Sequence, residues 1–231
     1  MISVVVVAHP RRSDMVNELH RQITPEAVVW DDNNQGANAN HRRAWRWITE
    51  GWPADSDRPT HALVLEDDAV LTPDFTRQLA LLMKNPPRGI TSLYLGTGRP
   101  PHWQLAIARA ITTLPSPDHC WLTGTTLLSA VAYLAPVDLY ADLHAATTDD
   151  PKVPIDRQVS RYAMATGTPV NYCWPSLVDH RDTAPVITHR TDGQPRTSPR
   201  KAWNVGTRTS WAGPSHPLRS PEELGVEVVW K

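Results

Sequence analysis

Residues 2–8, ISVVVVA, form an unbroken, largely β-branched run, which predicts a strand buried on both faces. HPRRSD follows, and Ser13 is placed to cap a helix over about 14–22. EAVVW (26–30) predicts a second short buried strand, closed by the polar loop DDNNQGANAN. A helix over 40–50 then sets Ala44, Trp45 and Ile48 on one face. HALVLE (61–66) is the third strand, and TPDFTRQLALLMKN an amphipathic helix with Thr72 as cap and Pro73 in its first turn. TSLYLG is the fourth strand, and GTGRPPHWQ after it reads as a flexible loop. The later half is less regular: LLSAVAYLAP (127–136) predicts a strand, VDLYADLHAAT and PIDRQVSRYAMAT predict helices, and PVNYCW predicts a strand before PSLVDH.

Strand and helix alternation of this kind predicts an α/β fold, a Rossmann-like, mostly parallel central sheet with helices on both faces. Ligands of such sheets bind outside the carboxyl ends of the strands. AHPRR, DDNNQGANAN and EDDAV are therefore expected to converge on one site.

Composition narrows the picture. The 231 residues are 40% hydrophobic and 20% charged, which suits one large globular domain, alone or with an appendage. A net charge of −1 gives no global steering toward nucleic acid or membrane. The two cysteines, Cys120 and Cys173, form no metal-site spacing and fit a reducing compartment. The apolar run near the N-terminus is too short for a signal peptide or a membrane span, so a cytoplasmic location and no membrane partner are expected. The ten tryptophans, against a single phenylalanine, offer stacking faces as well as core volume. Charge is uneven: from Arg181 to Ser220 there are seven Lys/Arg and two Asp, in a stretch with several prolines that reads as an extended arm.

The candidate chemistry is the acidic triplet Glu66, Asp67, Asp68 at the end of the third strand. Three adjacent like charges at a buried strand end are costly unless a cation meets them. The chain has no GxGxxG or GxxxxGK cradle for phosphates. A nucleotide site built without one needs a metal, and carboxylates spaced i, i+2 can hold Mg²⁺ or Mn²⁺ against a diphosphate. The alternative is a solvated acidic turn.

With GANANHRRAW before it and PDF after it, LEDDAVL resembles the strand end of GT-A-fold nucleotide-sugar glycosyltransferases. The likeness is to the lipopolysaccharide-type enzymes, and closer still to small bacteriophage-encoded glycosyltransferases, which share the RRAW helix, the EDD strand end and a PSLVDH segment. It covers roughly residues 2–205. The resemblance implies a GT-A-like catalytic domain over 1–180 and a basic, Pro-rich arm over 181–231 wrapping it. It implies a nucleotide-sugar donor, a UDP-sugar for choice, with Mn²⁺ or Mg²⁺. Glu66, Asp68 and His180 would be the metal ligands; His9, Arg11, Asp31 and Asp67 would meet the nucleotide; and Asp156 would deprotonate the acceptor. Trp103, Arg200, Lys201 and Trp203 would meet the acceptor, for which 5-hydroxymethylcytosine in phage DNA, in the host cytoplasm, is the first expectation and a virion protein or glycan the next. The pattern departs from the family in having Glu at the first acidic position and no Cys-Ser before the helix histidine. Plainer readings stand beside these: Asp31 in an Asx turn, Asp156 as a helix cap, His180 on the surface, Trp103 in ordinary packing, Arg200 and Trp203 in a pinned tail. The whole chain could equally be a nucleotide- or glycan-binding module without catalysis.

Overall fold

A computed structural model describes residues 2–52, 57–183, 186 and 199–225. Its centre is an eight-stranded sheet. In chain order the elements are β1 (Ile2–Ala8), α1 (Ser13–His20), β2 (Ala27–Trp30), α2 (Ala37–Glu50), β3 (His61–Glu66), β4 (Ala69–Leu71), α3 (Phe75–Leu82) and β5 (Ile90–Ser92). There follow α4 (Gln104–Thr112), β6 (Trp121–Gly124), β7 (Ala132–Pro136), α5 (Val137–Ala146), α6 (Ile155–Thr166), β8 (Val170–Cys173), β9 (Val178–His180) and β10 (Ser215–Pro217). The order across the sheet is β10-β6-β8-β5-β7-β3-β1-β2. Strands β1, β2, β3, β5 and β8 run one way; β7, β6 and β10 run against them. β4 and β9 form a separate two-stranded ribbon.

The period of two along the strands divides the core. Val5, Val7, Ala62 and Val64 face α2, α4, α5 and α6, whereas Val4, Val6, Ala8, Leu63 and Leu65 face α1 and α3. Continuous apolar runs are what a strand covered on both sides requires, and β1 and β3 lie where the sequence puts them.

Elsewhere local chemistry moved the boundaries. α2 starts at Ala37, earlier than its apolar face suggests, because the Asp31 carboxylate accepts from the N–H groups of Gln35 (2.8 Å) and Gly36 (2.9 Å) just before it. α3 begins after Asp74 rather than at Thr72–Pro73, although the Thr72 carbonyl still accepts from the Phe75 N–H. The strand expected over 91–96 shrinks to β5, and the one over 127–136 to β7. The stretch read as a flexible loop is a 3-10 turn at Pro101–Trp103 leading directly into α4.

Residues 199–225 are built into the fold. The carbonyl of Lys201 accepts from the Thr97 N–H, Trp203 N–H reaches Leu95, and β10 joins the sheet beside β6. Trp211 is buried, its ring 5.3 Å from that of Trp121, and its indole N–H donates to Gln78 Oε1 at 2.9 Å. Trp211→Ala is therefore expected to destabilise the protein by about 3–5 kcal/mol, through a core cavity plus a stranded Gln78 acceptor. Urea unfolding checks this, and a loss within experimental scatter of zero would show that the segment is not part of the core. No helix among the described residues is long and apolar enough to cross a membrane.

Candidate active site

The parallel register brings three carboxyl ends level: Ala8 lies beside Trp30, and Val7 beside Glu66. The residues that follow these ends line a cavity of about 200 Å³, with His9, Arg12, Asp31, Asn40, His41, Glu66, Asp67, Asp68 and Arg200 around it. All three loops picked out by the sequence meet here.

Each carboxylate of the triplet has a different setting. Asp67 accepts from the backbone N–H of His9 at 2.8 Å and from Arg12 Nη1 at 2.7 Å. Asp68 Oδ2 accepts from the same Arg12 nitrogen at 2.6 Å. Burial pushes both aspartates up, Asp68 to about 6 with the negative charge of Glu66 adding to the effect, against the pull of Arg12 and Arg200. Glu66 goes the other way: burial, the largest single influence, would raise its carboxyl, but the hydrogen bond from His41 and the basic groups around it, Arg200 among them, together outweigh that and hold it below the ordinary range. The triplet is thus an ion-paired, partly neutralised anion cluster, its two aspartates buried and Glu66 partly exposed to the cavity, not a solvated turn.

His180 comes to this cluster through the ribbon, because β9 pairs with β4 and sets His180 opposite Ala69. It is buried, not on the surface. Burial, together with the positive charge of Arg200, lowers it to about 4, so the ring is neutral at pH 7. Its Nε2 lies 3.4 Å from Asp68 Oδ2 without hydrogen-bond geometry. Both its ring nitrogens and Asp68 Oδ1 are buried and have no hydrogen-bond partner among the described residues. Leaving such groups unsatisfied costs about 1–3 kcal/mol each.

The expected trio of metal ligands is not assembled. Among the described residues no three His, Cys, Asp or Glu side chains form a metal-holding group, and Glu66 is turned to His41. Asp68 and His180 are nevertheless a fitting pair. An orphan carboxylate oxygen and a neutral imidazole side by side suit Mn²⁺ better than the oxygen-preferring Mg²⁺, the other positions being left to phosphate and water.

The remaining candidates divide. Arg11 is shifted out by one position: Arg12 reaches the carboxylates, while Arg11 Nη2 donates to the Val186 carbonyl at 2.6 Å. His9 contributes its backbone N–H, and its ring Nδ1 accepts from Arg11 N–H. Asp31 lines the cavity but spends its carboxylate on the loop before α2. Asp156 is the second residue of α6, not its cap, and accepts from the Arg157 N–H at 2.7 Å. Burial raises it to about 6, and the charge of Glu66 raises it further against His41. Trp103 is buried in the core, so its indole is packing. Trp203 donates to Gln104 Oε1 at 3.1 Å, Lys201 pairs with Asp179 at 3.3 Å, and Arg200 lines the cavity.

Sequence reasoning missed His41 and Tyr133 as site residues. The usable signal for His41 was its place one turn before Trp45, on the buried face of α2.

No protein-family model and no curated protein matches the chain. Solved structures do. A Bacillus anthracis protein described as a glucose-1-phosphate thymidylyltransferase, in complex with a sucrose, is similar at 9% identity and TM-score 0.41, over 74% of this chain and 86% of that one. The inositol-1-phosphate CTP transferase from T. maritima matches at 14% identity and TM-score 0.39, over 74% of this chain and 65% of its own. A glycosyltransferase involved in glycosylation of the PBCV-1 major capsid matches at 10% identity and TM-score 0.33, over 71% and 76%.

Proposed function

We propose that this chain is a glycosyltransferase that moves a sugar from a nucleoside diphosphate sugar, a UDP-sugar for choice, to a hydroxyl acceptor. The observation that carries the reading is Asp68, which lines the strand-end cavity, with His180 beside it: Asp68 Oδ1 and both His180 ring nitrogens are buried without a hydrogen-bond partner among the described residues. These two residues would hold Mg²⁺ or Mn²⁺, which supplies Lewis-acid stabilisation to a departing diphosphate. Arg12 keeps Asp67 and Asp68 in place by a two-carboxylate ion pair, and Arg200 adds positive charge on the same cavity. Asp156 is the base for the acceptor hydroxyl if the reaction inverts: a carboxylate raised to about 6 is well matched to proton abstraction near neutrality. Residues 1–180 would carry most of this chemistry, with Arg200 contributed by the 199–225 segment that is built into the fold.

For the acceptor, 5-hydroxymethylcytosine in DNA is proposed from the excess of Lys and Arg in the arm. The described arm cations bear on this. Arg181 is paired with Glu18, Lys201 with Asp179, Arg208 donates to the carbonyls of Trp174 and Pro117, and Arg200 faces the cavity. Three of the five described arm cations are thus used within the fold, and a virion protein or glycan hydroxyl is the next acceptor.

Thermal shift against a panel of nucleotide sugars, with and without Mn²⁺, tests the donor half. One donor should raise the melting temperature only with metal, as specific binding must. Mass spectrometry of hydroxymethylated DNA after incubation with that donor tests the acceptor. Absence of added sugar removes DNA and leaves the transferase reading for protein and glycan acceptors.

A further inference from the structure

Behind Glu66 runs a line of buried polar side chains that the proposed reaction does not use. His41 Nε2 lies 3.3 Å from Glu66 Oε1, and His41 Nδ1 lies 3.0 Å from the Tyr133 hydroxyl. The same hydroxyl accepts from the Trp45 indole N–H at 2.7 Å. Trp45 and Tyr133 are 0% exposed and His41 is 1% exposed, whereas the Glu66 side chain is 29% exposed and lines the cavity. Three elements build this line: α2 carries His41 and Trp45 one turn apart, β7 carries Tyr133, and β3 ends at Glu66.

A proton inventory fixes its direction. An indole nitrogen can only donate, so the Tyr133 oxygen must accept from Trp45. The Tyr133 proton then needs an acceptor, and His41 Nδ1 is the one within reach. A ring whose Nδ1 accepts is neutral and carries its proton on Nε2, the atom that faces Glu66. Every donor in the line therefore points toward the carboxylate. The stacked arrangement of the His41 and Tyr133 rings, with centroids 5.8 Å apart and planes at 28°, leaves His41 little freedom to turn over.

We propose that His41 is a positioning residue, a neutral imidazole locked with its proton on Nε2 by Tyr133 and Trp45, that holds Glu66 with its free oxygen in the cavity as the acceptor for a hydroxyl of the bound donor's sugar or ribose. Glu66 is then a recognition carboxylate and not a metal ligand. A wholly buried chain of polar groups is costly unless every member is satisfied, and here its one exposed end is at the site. The inference rests on the cavity being a nucleotide-sugar site, so its test has one arm that needs no reaction.

Long-range ¹H–¹⁵N correlation on the full chain labelled at histidine should show His41 at neutral pH as the Nε2–H tautomer. The Nδ1–H tautomer or a doubly protonated ring overturns the proposal, whatever the activity. The second arm compares His41→Gln with His41→Asn. Glutamine can place an N–H where Nε2 was, whereas asparagine reaches only Tyr133. With the donor that the wild type uses, His41→Gln should stay within about threefold of wild type in kcat/KM. His41→Asn should fall by about tenfold or more, mainly through KM, since one hydrogen bond to a charged group is at stake. Equal losses that follow melting temperature instead would show a structural role and overturn the proposal. If the wild type turns over no donor, the transferase reading fails, and the tautomer still decides how His41 holds Glu66.

Discussion

Asp68→Asn is expected to abolish sugar transfer while making the metal-free protein more stable at pH 7. Activity should fall by at least about 10²-fold if the proposed site holds a cation against a diphosphate, because an amide brings no charge to it. The stability gain follows from the same burial. In the folded protein Asp68 is raised to about 6, above the usual carboxylate value of 3.8. The native state thus binds the Asp68 proton more tightly than the unfolded chain does. This group's contribution to stability falls as pH rises from about 4 to 6, and above that the full cost of the buried charge is present. Asparagine removes the cost, and Arg12 keeps Asp67 as its partner. A gain on the order of 1–3 kcal/mol is expected, or a rise of a few degrees in melting temperature. Melting in EDTA across pH checks it: the gap between variant and wild type should close as the pH drops toward 4. Taking the difference is essential, because His180, lowered to about 4, loses stability over an overlapping range with the opposite sign. A variant less stable than wild type at every pH would show that Asp68 serves the fold.

Asp156→Asn is expected to lower kcat by about 10²–10⁴-fold with donor affinity unchanged. Asp156 is held up by burial first and by the nearby charge of Glu66 second, while the Arg157 N–H works against them. As a base it must be ionised, so kcat should rise with pH through about 6 in the wild type. With a cation held as proposed, Asp68 would no longer titrate in that range, since a coordinated cation lowers a carboxylate's pKa. The limb then belongs to Asp156 and should vanish in the variant. Persistence of both the limb and the rate would leave Asp156 as an acidic residue in the first turn of α6, a role worth about 0.3–1 kcal/mol of stability.

The parts of this molecule legible in the sequence are those where one physical requirement dominates. β1 and β3 are buried on both faces, so apolar residues dominate them, and the carboxylates after Leu65 stand out against that background. Convergence of the three loops follows from parallel strands alone. α4 and β6 were passed over because QLAIARAIT follows prolines and WLTG is short; tertiary packing makes them. β10 has no apolar pattern and exists because the sheet edge beside β6 accepts it. In the site, Arg12 was hidden beside Arg11, since sequence gives no phase for the turn at Pro10–Arg12. His41 looked like part of a polar helix start. Only the packing of α2 on β3 and β7 shows that its ring is buried behind Glu66.

The central claim is that the strand-end cavity splits a nucleoside diphosphate sugar with a cation on Asp68 and His180. Release of nucleoside diphosphate from a panel of nucleotide sugars, followed in Mn²⁺ and in EDTA, measures it directly. The account predicts release from one class of donor in Mn²⁺, none in EDTA, and none from the His180→Ala protein in either. Release that continues undiminished in EDTA, or no release from any donor in Mn²⁺, would contradict it.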